Sequence, residues 1–293
     1  MQERQPMDCR GCYERQVRRI AAFCELDASA LDAMLVVKDE VLAGYGDERV
    51  KPDRMGELLA RVAPIIGTDD PYEQVKAEYN QLLLDREQEC LERIAAAEDP
   101  FQLALRYAAA GNLIDFGAKH SFTRDDVTDL LARVPEITFS IDDSPALLDL
   151  VREAHSVMYL GDNCGEIVLD KILVEQIHRE APEAEIVYGV RGGPIINDVT
   201  VADAEQVGMD RVARVVPSGL AVPTTVLEGS TDEFRRAFFD ADVVISKGMG
   251  NFETLGDGCG RDDVFFLLMT KCEMVAAAVG APLLSLVCKR NER

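Results

Sequence analysis

Three short stretches concentrate the residue types that can do chemistry. They are Gly161-Asp162-Asn163-Cys164-Gly165-Glu166, Arg191-Gly192-Gly193-Pro194-Ile195-Ile196-Asn197-Asp198, and Ser246-Lys247-Gly248-Met249-Gly250-Asn251-Phe252-Glu253. Asp162, Asn163 and Asp198 offer two carboxylates and an amide oxygen. An oxygen-only donor set favours a hard divalent cation such as magnesium or manganese, with waters completing the shell. Lys247 and Arg191 add positive charge, and glycines such as Gly165 and Gly248 let backbone amides approach an anion. A metal flanked by a lysine and by helix N-termini suits a phosphoryl group. Glu166, Asn197, Asn251 and Glu253 complete the candidate anion-binding set. Each residue also has a plainer reading when taken singly. Asp162 and Asp198 can be helix N-caps, Glu166 and Glu253 first-turn carboxylates, and Lys247 a solvated surface side chain. Their coincidence is what argues for a site.

The elements around these stretches would bring them together. From about residue 156, short apolar runs alternate with helix-like segments. The runs are Ser156–Leu160, Glu185–Val190, 211–216, 242–246 and 283–288. Strands separated by helices imply a largely parallel sheet covered on both faces, whose ligands lie outside the carboxyl ends of the strands. Each chemical stretch follows such a run, so all three fall on one edge. Residues 10 to 150 read instead as helix after helix, with Asp99 and Pro100 as an N-cap and first helical residue. The expected class is therefore α/β, with a helical domain over residues 1–145 and a Rossmann-like three-layer α/β/α sandwich over 146–293. Ala110-Gly111-Asn112 interrupts an apolar helix, since glycine there costs about 1 kcal/mol relative to alanine. Either this break lines the cleft with Asn112 and Asp115, or those two side chains simply cap a helix end.

Asp and Glu number 53 against 31 Lys and Arg, a net charge of −22. Such a surface disfavours nucleic acid and anionic membranes, where binding rests on basic residues. An anionic substrate would then need a local inversion of potential from a metal or from clustered Lys and Arg. Residues 1–19 are charged throughout, unlike a secretory leader, and the apolar run 274–288 is broken by Gly280-Ala281-Pro282, so the expected compartment is the cytoplasm. Cys9-Arg10-Gly11-Cys12 is half of a zinc site, which Cys272 or Cys288 would complete as a structural zinc or iron centre. The alternative is buried, reduced thiols. Cys164 lacks the Cys-x5-Arg cradle of a phosphatase nucleophile, and His120, His155 and His178 are scattered.

The motifs Asp-Asn-x-Gly-Glu at 162–166 followed by Asp170, Gly-Pro-Ile-Ile-Asn-Asp at 193–198 and Lys-Gly-x-Gly-Asn-Phe-Glu at 247–253 resemble domain-of-unknown-function family 89. The family is described as metal-dependent damage-control phosphatases, and the subgroup with an N-terminal Cys-x-x-Cys pair matches best. The resemblance runs on through 111–116, 141–144, Lys271-Cys272 and 286–288, covering nearly the whole chain. It implies one divalent metal (magnesium, manganese, cobalt or nickel) on Asp162, Asn163 and Asp198, with Lys247 facing the phosphate. It also implies hydrolysis of small phosphorylated metabolites such as sugar phosphates. A related branch is described as a carboxyl methyltransferase using S-adenosylmethionine, which stays as an alternative beside a non-catalytic phosphometabolite-binding protein. No oligomeric state follows from the sequence.

Overall fold

The computed structural model describes residues 9–43, 54–112, 124–256 and 258–291. Its centre is a seven-stranded sheet of β1 (Ile141–Asp142), β2 (Ser156–Leu160), β3 (Glu185–Val190), β4 (Arg214–Pro217), β5 (Val243–Lys247), β6 (Val264–Met269) and β7 (Leu286–Arg290). The spatial order is β1-β7-β6-β5-β2-β3-β4. All neighbours are parallel except β6 and β7, which run antiparallel.

The inner strands carry apolar residues at consecutive positions because both faces are covered. On one face Tyr159, Tyr188, Ile245 and Phe265 enter a core shared with α4 (Glu73–Ala95), α5 (Pro100–Gly111) and α8 (Glu166–Glu180). On the other, Met158, Val187, Val244 and Phe266 pack against α10 (Asp232–Asp240), α11 (Gly248–Leu255) and α12 (Glu273–Val279). The helices α6 (Arg124–Arg133), α7 (Ser144–Glu153) and α9 (Val201–Val207) border the first face. This is the expected three-layer α/β/α arrangement. A separate apolar cluster forms among α1 (Cys9–Phe23), α2 (Ala28–Val41) and α3 (Arg54–Ile66), and it takes in Tyr72 and Ile195.

Local chemistry explains several boundaries. Asp99 caps α5 through Gln102 N at 3.0 Å, with Pro100 in the first turn as expected. Thr200 and Asp203 form a capping box at the start of α9. Three points differ from the sequence reading, and the first is that β1, within the stretch read as helical, joins the sheet beside β7. The run 264–269 is a strand, fully buried between β5 and β7, where no element was expected. The third chemical stretch is not a loop, because β5 ends at Lys247 and α11 begins at once with Gly248. Among the described residues no helix is long and apolar enough to cross a membrane.

Candidate active site

The chain builds β2, β3 and β4 in one direction and then returns to place β5 and β6 on the other side of β2. Strand order therefore reverses between β2 and β5, the point where a crevice forms in open parallel sheets. The first stretch leaves β2 and the third leaves β5 at this point.

The backbone joins the first stretch to the second. Asn163 and Asp198 form an isolated antiparallel bridge. Val199 N donates to Asp162 O at 2.9 Å, and Cys164 N donates to Asn197 O at 2.8 Å. This clip brings Asp162, Asn163 and Asp198 together. None of the three acts as a helix cap: α8 is entered through Gly165 without a side-chain cap, and α9 is capped by Thr200. The loop also holds Ile196 at φ 46°, a left-handed conformation costly for a β-branched residue.

The third stretch presses on the first. Gly248 has φ 78°, and a Cβ placed there would lie 1.9 Å from Asp162 Oδ2. Only glycine fits this backbone and this approach. Gly248→Ala is expected to cost more than the ~1–2 kcal/mol of the left-handed penalty alone, because the methyl group must also displace Asp162. Chemical denaturation reads this directly, and a loss under ~1 kcal/mol would mean that Asp162 moves aside freely. At the end of α5, Gly111 meets α8 so closely that a Cβ would sit 2.8 Å from that of Glu166. This contact delivers Asn112, whose Nδ2 donates to Asp162 Oδ2 and to Glu166 Oε1, each at 3.1 Å. Asn112 is both the C-cap of α5 and a wall of the cleft. Asp115 lies outside the described residues.

Behind the cleft runs a buried network of charges. Asn163 turns its Nδ2 onto Asp162 Oδ2 at 2.7 Å and Glu166 Oε1 at 2.8 Å. Lys247, with no exposed surface, donates to Glu166 Oε2 at 2.8 Å, Asp170 Oδ1 at 2.5 Å and Ala108 O at 2.8 Å. Tyr159 and Tyr188 donate to the two oxygens of Asp170 at 2.7 and 2.9 Å. Lys247 therefore does not face the cleft as expected; it neutralises the carboxylates beneath it. Arg191 is likewise buried. Its Nε donates to Asp198 Oδ2 at 2.6 Å, its Nη1 to Asn251 Oδ1 at 3.1 Å, and its Nη2 reaches Asp162 Oδ1 at 3.4 Å. Asn251 in turn donates to Lys247 O at 2.8 Å. Arg191 and Asn251 thus support the acidic residues from behind. Glu253 does not line the cleft.

The charge balance is uneven. Burial, then the charges of Glu166 and Asp198, push the Asp162 carboxyl up to about 8, against the pull of Arg191 and Lys271. Burial lifts Asp198 to about 6 although Arg191 opposes it. Burial alone would also raise Glu166, but Lys247 wins and holds it below the ordinary carboxylate value. Asp162 and Asp198 in front are thus short of positive charge, whereas Glu166 behind them is compensated by Lys247.

The cleft measures about 210 Å³. Asn112, Asp162, Asn163, Asn197 and Asp198 line one part of it. Gln16, Arg19, Pro223, Met249 and Lys271 line the rest, beside Ile196 and Gly250. Asn197 is 5% exposed, and its Nδ2 has no hydrogen-bond partner. A larger cavity of about 360 Å³ opens at the opposite ends of the strands, around Arg214 and Arg236. Arg214 is paired there with Glu185 and Glu233, and none of the three stretches contributes to it.

Sequence reasoning missed the cleft roles of Lys271, Arg19 and Gln16. Lys271 follows β6, so reading the run 264–269 as a strand would have placed it on the same edge. For Arg19 and Gln16 no local signal exists, because α1 reaches the cleft only by tertiary packing. The expected cysteine centre includes Cys9, whose side chain lies outside the described residues. Among the described residues no group of three or more His, Cys, Asp or Glu is placed to hold a metal. Cys12 is exposed on α1, and Cys288 is buried within β7, where burial pushes its thiol well up.

A family model described as the damage-control phosphatase ARMT1-like domain matches residues 6–287. A damage-control phosphatase of Pyrococcus horikoshii is 32% identical over 286 residues, which cover 97% of both chains. One from Archaeoglobus fulgidus is 31% identical over 289 residues, covering 94% of this chain and 99% of the relative. The crystal structure of a DUF89 family protein from Pyrococcus horikoshii superposes with a TM-score of 0.87 at 30% identity. That match covers 98% of this chain and 99% of the other.

Proposed function

The chain belongs to the damage-control phosphatase ARMT1-like family, and from that premise we propose that it hydrolyses small phosphate monoesters in the β2–β5 cleft with one divalent metal. The observation that carries this reading is the backbone clip that sets Asp162 and Asn163 against Asp198 at the point of strand reversal. The donor chemistry fits the metal. With Asn163 Nδ2 engaged by Asp162 and Glu166, the carbonyl Oδ1 remains as its ligand atom. Asp198 keeps Oδ1 beside the Oδ2 that Arg191 holds. Two carboxylates and an amide suit magnesium or manganese better than zinc, which prefers nitrogen and sulfur. When bound, the ion would supply Lewis acidity toward a phosphoryl oxygen.

The chain's own residues do the rest. Asn197 Nδ2 and Lys271 are donors on the cleft wall, suited to phosphate oxygens in the otherwise acidic setting. Arg191 and Asn251 hold Asp198 in orientation, and Asn112 and Asn163 hold Asp162. The test is hydrolysis across a panel of phosphometabolites with magnesium, manganese, cobalt and nickel in turn. Turnover that is undiminished after exhaustive chelation would sink the metal-dependent reading.

A pH dependence follows. Asp162 and Asp198 have folded values above their unfolded ones, so between about pH 4 and pH 8 the metal-free folded state binds more protons than the unfolded chain. This contribution to stability is fully present at low pH and is lost as pH rises through about 6 and then about 8. A divalent cation favours the ionised forms, so its stabilising effect grows across the same window. Melting of chelator-treated protein with and without added magnesium, at about pH 5 and about pH 8, measures it. The gain in melting temperature should be larger at the higher pH, and equal gains would contradict the assignment.

A further inference from the structure

One wall of the cleft comes from none of the three chemical stretches. Gln16 and Arg19, a turn apart on α1, line it. Gln16 is 8% exposed and donates to the hydroxyl of Tyr72, which is fully buried. A fixed phenol thus orients Gln16 from behind, with Arg19 one turn further along the same helix. The supporting helices are anchored to the site itself. Val17, Ile20 and Tyr72 pack with Ile195, next to the strained Ile196. Gly56 of α3 lies so close to the loop before Pro223 that a Cβ there would be 2.4 Å from Ala221 O. The first three helices therefore sit as a cap on the loops that carry Asn197, Asp198 and Pro223.

We propose that Gln16 and Arg19 read the part of the substrate that is not transferred, and that Arg19 selects phosphate esters whose far end carries a second anionic group. This rests on the phosphatase reading of the cleft. Lys247 and Arg191 lie behind the cleft, and among the described residues the cationic side chains on its lining are Lys271 and Arg19. Lys271 acts on Asp162 and Glu166 electrostatically and so belongs to the phosphate end. Arg19 stands on the cap, with Gln16 beside it. A guanidinium presents a planar fork of donors that matches a carboxylate or phosphate, and an amide adds one donor–acceptor head for a hydroxyl. The volume of about 210 Å³ is below the roughly 300–1,000 Å³ of drug-sized ligand sites. A small ester bound at Asp162 and Asp198 would therefore bring its far end to the cap. On a chain of net charge −22, a second anion needs such a local cation.

The experiment compares two three-carbon monoesters, 3-phosphoglycerate with its carboxylate and glycerol 3-phosphate with a hydroxymethyl group in its place. The wild-type protein should favour the acid in kcat/KM by roughly tenfold or more, the scale of one charge-assisted hydrogen bond. Arg19→Met should reduce that ratio about tenfold, mainly through KM, and Arg19→Lys should restore part of it. Gln16→Glu replaces the amide donor with a carboxylate that can accept from the Tyr72 hydroxyl, adds a negative charge beside Arg19, and should lower the ratio too. A merely structural Arg19 would lower both esters in parallel, and that result overturns the inference, as does a wild-type preference for the neutral ester. Absence of hydrolysis by wild-type protein across the whole ester panel with every metal would instead remove the phosphatase reading, and this inference with it.

Discussion

Asp162→Asn is expected to lower phosphate-ester hydrolysis by at least ~10³-fold while leaving the protein as stable as the parent or more so. The activity loss exceeds the ~10²–10³ of a single electrostatic donor because the substitution removes a ligand charge as well as an acceptor. The stability expectation has a separate cause. Asp162 is a carboxylate that burial, Glu166 and Asp198 all disfavour as an anion. An asparagine of the same shape keeps an acceptor for Asn112 and Asn163 and removes the like-charge repulsion. Asp198→Asn should match it in activity but not in stability, since Arg191 Nε, 2.6 Å from Oδ2, would lose its anionic partner inside the protein. Steady-state turnover, manganese titration calorimetry and thermal melting on the two variants separate these effects. Retention of more than a tenth of the parent turnover by Asp162→Asn would remove this residue from the centre of the site. Active sites commonly hold such destabilising arrangements.

The acidic half of this site was legible in the sequence, and the reason is topological. Asp162, Asn163 and Asp198 sit at the ends of strands whose apolar runs are easy to recognise, and parallel strands bring their carboxyl ends to one edge. The cations were misjudged because sequence spacing cannot report depth. Lys247 is the last residue of β5 and Gly248 starts α11 without a loop between them, which leaves the lysine under the sheet edge. Its partners Glu166 and Asp170 lie one turn apart on α8, a spacing that marks a shared helix face but not what that face meets. Lys271 was hidden by an unassigned strand, for 264–269 is apolar on both faces and shows no alternation. Arg19 belongs to a different class, since its place in the cleft depends on how α1–α3 dock through Ile195 and Tyr72, a contact between segments far apart in the chain.

The burial of Lys247 leads to the second large effect: Lys247→Met should destabilise the fold by about 3–5 kcal/mol, the usual cost of stranding buried partners of an ion pair. The lysine is the shared counter-ion of Glu166 and Asp170, both essentially without exposed surface. Burial already lifts Asp170 to about 6 even with the ammonium beside it. Without Lys247 both carboxyls would have to take up protons, and Glu166 would loosen its hold on Asn163 N and Nδ2. The damage would then reach the metal-binding corner through Asn163, without any contact between Lys247 and the substrate. A double variant tests this route. Lys247→Met with Asp170→Asn removes one stranded charge, and its cost should fall below the sum of the Lys247→Met and Asp170→Asn costs by more than the ~0.3–0.5 kcal/mol within which independent sites add. Urea denaturation of the single and double variants measures the coupling. If Lys247→Met unfolds at the parent midpoint and loses only turnover, the ammonium acts on the phosphate instead, and the buried arrangement described here is not the one that operates during catalysis.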